Sequence, residues 1–409
     1  MHVLFLAPDT GIYNHRFVRA LTAAGARVSA FGHAEPHALA TELRGLLDHY
    51  DRLQSLFNVE ELLGAVRRVT HLHPADRIET IDEPLIVPAA RLRATLGLPG
   101  LTVEQATLCR DKAAMKERLR EHGIPCARSA LIAAASDAHR FAEEEGYPII
   151  LKPRDGFGTL STYRAENAAE LERALAALKP GDAGKSILAE EFIDGHEGFY
   201  DTITAAGGQR HDFIAHYYPT CLEAIQDRAI APQIAVTNRV EAPGYQELRD
   251  VGARVIEALG LERTATHMEW FFGSKGLRVS EIGARPAGER IWDLHARANE
   301  FDVYAAWADA TLNGRLSGTP SRRLAAGSVQ VRPDRDGRFI GHKGLDEVVK
   351  ACRDSVFEFD LPRPGTPTQG LDRGWLVNTW FRLVDPDYDR LRALMTFIGQ
   401  TVKSQARPD

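Results

Sequence analysis

His267-Met268-Glu269-Trp270-Phe271-Phe272-Gly273-Ser274-Lys275-Gly276-Leu277-Arg278-Val279-Ser280-Glu281-Ile282-Gly283 sets the apolar-rich runs Thr264–Phe272 and Leu277–Gly283 on either side of the turn Gly273–Gly276. That pattern predicts a β-hairpin. Side chains alternate along a strand, so His267, Glu269 and Phe271 share one face of the first run, and Val279, Glu281 and Gly283 one face of the second. If the hairpin closes around Lys275, Glu269 lies opposite Glu281 and His267 opposite Gly283. Directly opposed side chains hold their Cβ atoms about 5 Å apart, and like charges there are destabilising. At an effective dielectric constant near 20 the repulsion is roughly 3 kcal/mol. A cation between them offsets it, and carboxylates at this spacing suit Mg2+, which takes its remaining ligands from water and phosphate. The other reading is a register slipped by one residue, which turns one glutamate to solvent.

Just past the hairpin, Ala284-Arg285-Pro286-Ala287-Gly288-Glu289 places a guanidinium four residues after Glu281. Arg285 there can bind a carboxylate or phosphate through two N–H groups, or serve as a structural ion pair with Glu281 or Glu289. Upstream, the β-run Pro148-Ile149-Ile150-Leu151-Lys152-Pro153 ends on a lysine before the loop Asp155-Gly156-Phe157-Gly158-Thr159-Leu160-Ser161-Thr162. Glycines let backbone N–H groups approach phosphate oxygens, and the Thr159, Ser161 and Thr162 hydroxyls add donors. The spacing is not that of a Walker A loop, and a surface turn with a solvated lysine is the alternative. Lys112 lies on a helix predicted from Asp111 to Glu121, where solvation is the plain reading. In Ala189-Glu190-Glu191-Phe192-Ile193-Asp194-Gly195-His196-Glu197, alternation aims Glu190 and Glu191 at opposite faces of a sheet.

At 409 residues the chain is long enough for two to four domains. With 44% hydrophobic and 26% charged residues its composition is that of an ordinary globular protein. A net charge of −6 and a pI near 6.2 give no electrostatic case for nucleic acid or an anionic membrane. Cys109, Cys126, Cys221 and Cys352 are scattered without zinc spacing, which fits reduced thiols. The first residues lack the basic start and long apolar run of a signal peptide, so the cytoplasm is the expected compartment.

The fold class expected is α/β. Val3–Ala7, Asn14–Ala24 and Val28–Phe31 read as one β-α-β unit of a parallel sheet, extended by helical pieces Leu43–Tyr50 and Val59–Val69 and short strands Arg77–Thr80 and Leu85–Pro88. Asn167 with Glu170 starts a helix Ala168–Leu178, and Leu248, Val251, Val255 and Leu259 mark another. A joint rich in Gly, Ser, Pro and Arg, Asn313–Ala326, precedes a last unit of short strands and two helices, Leu345–Ala351 and Tyr388–Lys403.

In order and spacing, the motifs between Lys112 and Gly288 resemble those of the ATP-grasp superfamily, and the Gly283-Ala284-Arg285-Pro286-Ala287-Gly288 run is most similar to amino-acid ligases that make dipeptides. The resemblance implies an ATP-grasp fold: a Rossmann-like α/β domain over residues 1–105, a small lid subdomain over 106–187, a large subdomain over 188–320 and a small α+β domain over 327–409. It implies ATP and Mg2+ (or Mn2+) as cofactors. Lys112 and Lys152 would contact the ATP phosphates, and the loop of Gly156, Gly158, Thr159 and Ser161 would close over them. Glu190 and the backbone of Glu191, Phe192 and Ile193 would hold the adenine, and Glu197 the ribose. Glu269 and Glu281 would carry the metal. Arg285 would bind the acyl-phosphate or substrate carboxylate, with Lys152 and His267 as further cationic contacts, and Gly288 would border the substrate. Glu223 is the candidate for recognising an amine. One departure stands out: many members have Asn two residues after the last metal glutamate, where this chain has Gly283, so water or another carboxylate would take its place.

The activity implied is ADP-forming ligation of a small-molecule carboxylate to an amine, through an acyl-phosphate, with a homodimer as the candidate assembly. Two other ATP-grasp chemistries compete, a carboxylase activating bicarbonate with Glu289 as base and a purine-pathway-type ligase using formate or bicarbonate. A nucleotide-binding regulatory protein without turnover is the reading from another class.

Overall fold

Four parallel strands open the chain: β1 (His2–Leu6), β2 (Arg27–Gly32), β3 (His49–Arg52) and β4 (Arg77–Glu79), in the order β3-β2-β1-β4. The central strand β1 is buried on both faces, and its continuous apolar run Val3–Leu6 is what that position requires. The computed structural model describes residues 1–11, 13–71, 73–156, 161–288, 290–371 and 379–408. The segment expected as one helix over Leu43–Tyr50 is instead a helix Thr41–Leu46 followed by β3. That edge strand is polar, so pairing with β2 defines it and periodicity does not. Leu85–Pro88, expected as a strand, leads into the helix Ile86–Leu96. Pro88 sits in its first turn, where a missing N–H costs nothing.

Next, β5 (Ser129–Ile132), β6 (Ile149–Pro153), β7 (Tyr163–Ala165) and β8 (Ile187–Glu191) form an antiparallel sheet in the order β5-β8-β6-β7. One face packs Ile149, Leu151, Ile187 and Ala189 against the helices Ala135–Glu145 and Ala168–Leu178. Asn167 caps the second of these, its side chain accepting from the Glu170 N–H at 3.1 Å. The opposite face carries Ile150, Lys152 and Glu190 into a cleft. Strand β8 runs to Glu191, beyond the boundary expected at 187.

The largest sheet is antiparallel and contains β9 (His196–Thr204), β10 (Arg210–Tyr218), β11 (Gln233–Val236), β12 (Ala265–Gly273), β13 (Gly276–Gly283) and β14 (Ala325–Val331). After β15 (Arg338–Lys343) come two more of its strands, β16 (Val356–Asp360) and β17 (Thr379–Asp385), while β18 (Lys403–Arg407) pairs with β15. Among the described residues its order is β13-β12-β9-β10-β11-β14-β17-β16. The last fifth of the chain therefore extends the same sheet across the joint Asn313–Ala326. On one face Phe199, Ile203 and Phe213 pack with the helices Ile291–Asn299, which was not expected, and Val303–Asn313. On the other, Tyr200, Met268 and Trp270 meet the helices Lys112–Glu121 and Gln246–Leu259. No helix among the described residues is long and apolar enough to cross a membrane.

Candidate active site

The hairpin pairs Glu269 with Glu281 and His267 with Gly283, but by a route the sequence did not suggest. Strands β12 and β13 join through the two-residue turn Ser274-Lys275, with Gly273 opposite Gly276. Uninterrupted, that register would set Glu269 against Ser280 and turn Glu281 to the other face. A β-bulge intervenes: Trp270 pairs with Val279 and Glu269 with Glu281, leaving Ser280 as the extra residue. Val279, expected beside Glu281, consequently points to the opposite face and packs in the core with Leu277 and Ile282.

Around this pair a cleft of about 340 Å³ opens between the two antiparallel sheets. Lys112, Lys152, Glu190, Glu197, Glu269 and Glu281 line it, as do His267, Arg285 and Gly288. The Lys112 Nζ lies 3.1 Å from Glu281 and donates to the Gly156 carbonyl at 2.5 Å. Lys152 lies 3.0 Å from Glu190 and 4.0 Å from Glu281. Burial alone would raise the Glu281 carboxyl, but Lys112 and Lys152 hold it down at about 2. Neither lysine is the solvated side chain of the plainer reading; Lys112 is 6% exposed and Lys152 9%.

Glu190 and Glu191 face opposite ways. Glu190 is buried against Lys152 and Lys116, which outweigh its burial and keep it ionised. The Glu191 carboxylate accepts from the Arg128 N–H at 2.8 Å and pairs with Lys275, so its side chain is structural. Beyond them Phe192 lies under the Arg164 guanidinium at 4.0 Å, and Ile193 is buried. Glu197 accepts from the Cys221 N–H at 2.6 Å, yet burial and the nearby Glu269 push its carboxyl up to about 8. Glu223 also borders the cleft, where its Oε2 accepts from Thr220 in a capping box. Ser161 is exposed with φ +60°, and Thr162 reaches the cleft. Gly158, Thr159 and Glu289 lie outside the described residues.

His267 is bound through Nδ1 to Asp201 at 2.7 Å, and Asp201 also holds His295 at 2.8 Å. Burial opposes the charge on His267, but Asp201 outweighs it and raises the imidazole to about 9. Arg285 is not held by Glu281, one of the two partners that the ion-pair alternative offered. Its Nε donates to Glu83 of the amino-terminal unit, and Nη1 donates to the Pro286 carbonyl at 2.7 Å. Glu83 in turn accepts from Arg110 at 2.6 Å. A Cβ on Gly283 would lie 3.6 Å from Glu83, so a carboxylate does stand beside the position where the resemblance leads one to expect Asn. Two arginines already occupy it.

Lys116, Glu83, Arg110 and Asp201 were not anticipated. Lys116 had a signal, one helical turn after Lys112. Glu83 and Asp201 come from distant elements, and Arg110, two residues before Lys112, carried no pattern that marked it.

A model of the ATP-grasp domain matches residues 117–301. The chain carries an ATP-grasp domain. It is 29% identical over 294 residues to the alanine–anticapsin ligase of Bacillus subtilis strain 168, covering 64% of this chain and 61% of that one. To the L-arginine-specific L-amino acid ligase of Bacillus subtilis it is 27% identical over 254 residues, covering 60% and 59%. The chain thus spans about three fifths of each ligase's length. The crystal structure of an L-amino acid ligase from Bacillus licheniformis superposes with a TM-score of 0.78 at 18% identity, covering 99% of this chain and 98% of that one. That likeness shows a shared fold over the flanking units as well.

Among the described residues no three His, Cys, Asp or Glu side chains converge as a metal cage. Two opposed carboxylates without a third protein ligand suit an octahedral ion that keeps its waters and takes phosphate oxygens, which is the habit of Mg2+. The ATP-grasp site therefore fits that ion.

Proposed function

We propose that this protein is an ADP-forming carboxylate–amine ligase that makes an amide or peptide bond with an amino acid as one substrate. The observation that carries this reading is Glu269 facing Glu281 in one cleft with Lys112, Lys152 and Arg285. Lys112 and Lys152 would bind the ATP phosphates, exchanging their contacts with Glu281 for phosphate oxygens. Gly156, Gly158, Thr159 and Ser161 belong to the loop proposed to cover them and exclude water. Glu190 and the Glu191–Ile193 backbone would hold adenine, and Glu197 the ribose hydroxyls. Glu269 and Glu281 would hold Mg2+, or Mn2+ in its place, which when bound neutralises phosphate charge.

In this reading the carboxylate substrate attacks the γ-phosphorus, the bond to the bridging oxygen breaks, and ADP leaves an acyl-phosphate. The amine then attacks the acyl carbon, loses a proton, and phosphate departs. Arg285, aimed by Glu83, would pair with the acyl-phosphate, and the His267 cation would add to the same field. Gly288 leaves room beside the Tyr13 hydroxyl for the substrate. Glu223, whose Oε1 takes no part in the cap, is the proposed amine contact. The free cysteines suit a cytoplasmic enzyme. A homodimer is proposed for its assembly, to be checked by sedimentation velocity.

The test is a phosphate-release screen of paired amino acids with Mg-ATP, with mass spectrometry of products. Phosphate release that needs two amino acids and yields a dipeptide is expected. Release driven by bicarbonate or formate alone would replace this reading with a carboxylase or purine-type ligase. Nucleotide binding without release for any acceptor would replace it with a regulatory role.

A further inference from the structure

Lys116 is 0% exposed, and its ammonium has two partners on different elements. Its Nζ donates to the Ser280 carbonyl at 2.8 Å and lies 3.2 Å from Glu190. Ser280 is the extra residue of the bulge, on the outermost strand of the large sheet. Its neighbour Val279 donates its N–H to the Pro125 carbonyl at 2.9 Å. Both backbone groups flanking the bulge thus bond to the segment that begins at Lys112. Lys112 and Lys116 lie four residues apart on one helical face, the first on Glu281 and the second on the carbonyl just before it. Without Lys116 that buried carbonyl would lose its donor and Glu190 one of its two cations, Lys152 being the other.

The geometry points to Lys116 as a positioning residue for the metal carboxylates: it holds the Ser280 bulge, which is what turns Glu281 to the face of Glu269, and it fixes Glu190 beside Lys152. The assignment rests on the metal reading proposed above. Lys116 is not among the residues that line the cleft, and it acts through Ser280 and Glu190.

The bulge supplies its own control. Deleting Ser280 brings Glu281 next to Val279, and a regular hairpin then sets Glu281 against Glu269 without a bulge carbonyl to hold. Binding of Mn2+ in the presence of ADP, followed by electron paramagnetic resonance, reads the carboxylate pair without any acceptor substrate. Lys116→Met is expected to weaken Mn2+ binding about 10- to 100-fold, the usual cost of losing a residue that orients metal ligands. Deleting Ser280 in the same variant should recover most of the lost affinity. Lys116→Gln, which keeps a donor, should lose less than Lys116→Met. Deleting Ser280 alone, with Lys116 intact, should leave Mn2+ binding within about threefold of the unaltered protein.

A Lys116→Met protein that melts earlier but binds Mn2+ as the unaltered protein does would overturn the assignment. So would loss of Mn2+ binding on deletion of Ser280 alone, a result that needs no folded Lys116→Met protein. Binding as expected, with no amide from any acceptor, supports Lys116 while rejecting the ligase reaction.

Discussion

Arg285 and Glu83, 202 residues apart in the chain, form an ion pair that joins the strand end after the hairpin to the first loop beyond β4. Arg110 donates to the second oxygen of Glu83 at 2.6 Å and to the Asp155 carbonyl at the entry to the proposed phosphate loop. One carboxylate therefore lies between the proposed substrate arginine and the segment that grips the loop. Its ionised form is favoured because Arg285 and Arg110 outweigh the burial that would raise it.

Glu83→Gln keeps the shape but removes the charge that aims Arg285. Amide formation should slow by about 10- to 100-fold while the KM for ATP stays within about threefold, because the proposed nucleotide contacts lie on other residues. Steady-state ADP release measured against both substrates checks this. A selective loss of ATP affinity would show that Glu83 serves the nucleotide instead.

Glu281→Ala removes a proposed metal ligand and leaves Lys112 and Lys152 facing each other without their shared anion. Turnover should fall by at least about a thousandfold, the size expected when an electrostatic element of phosphoryl transfer is lost. Full turnover in Glu281→Ala, assayed by coupled ADP detection, would remove the metal assignment.

Gly195 links β8 to β9 with φ +116°, and a Cβ there would sit 2.3 Å from the Phe272 carbonyl. Gly195→Ala thus meets both backbone strain and a backbone clash that no side-chain movement relieves. A loss of about 2–4 kcal/mol is expected, read as a lowered midpoint in urea. Since the same turn borders the cleft, ADP binding by calorimetry should weaken too.

His216, away from the proposed metal carboxylates, bonds to His196 at 2.8 Å and to the Tyr245 hydroxyl at 2.7 Å. Burial, then His196 and Arg392, push its imidazole down to about 3. The folded protein therefore resists protonating a group that the unfolded chain protonates near 6.5. Its contribution is fully present above pH 6.5 and is lost as pH falls towards 3. At most about 5 kcal/mol is involved. His216→Gln should flatten the fall in melting temperature between about pH 6.5 and 4, and an unchanged slope would refute the assignment.

Where one element carries its own signal, the sequence was legible. Asp111 caps its helix, its carboxylate accepting from Ala113 and Ala114, and the strand lysine Lys152 stands where the apolar run ends. The edge strand β3 and the helix Ile86–Leu96 of the amino-terminal unit were misread, because strand pairing decided the first and a proline tolerated in the opening turn the second.

The chain by itself determined the local pieces: the hairpin, the two lysines, the alternation that parts Glu190 from Glu191, and the arginine just past the hairpin. Their periodicity and capping are properties of neighbouring residues, so they need no distant partner. Only the tertiary structure decided which face Glu281 takes, because a one-residue bulge reverses it and the bulge is held by Lys116 from another element. Tertiary structure alone also chose Glu83 for Arg285 and Asp201 for His267, since ion pairs between remote segments leave no periodic trace in the sequence.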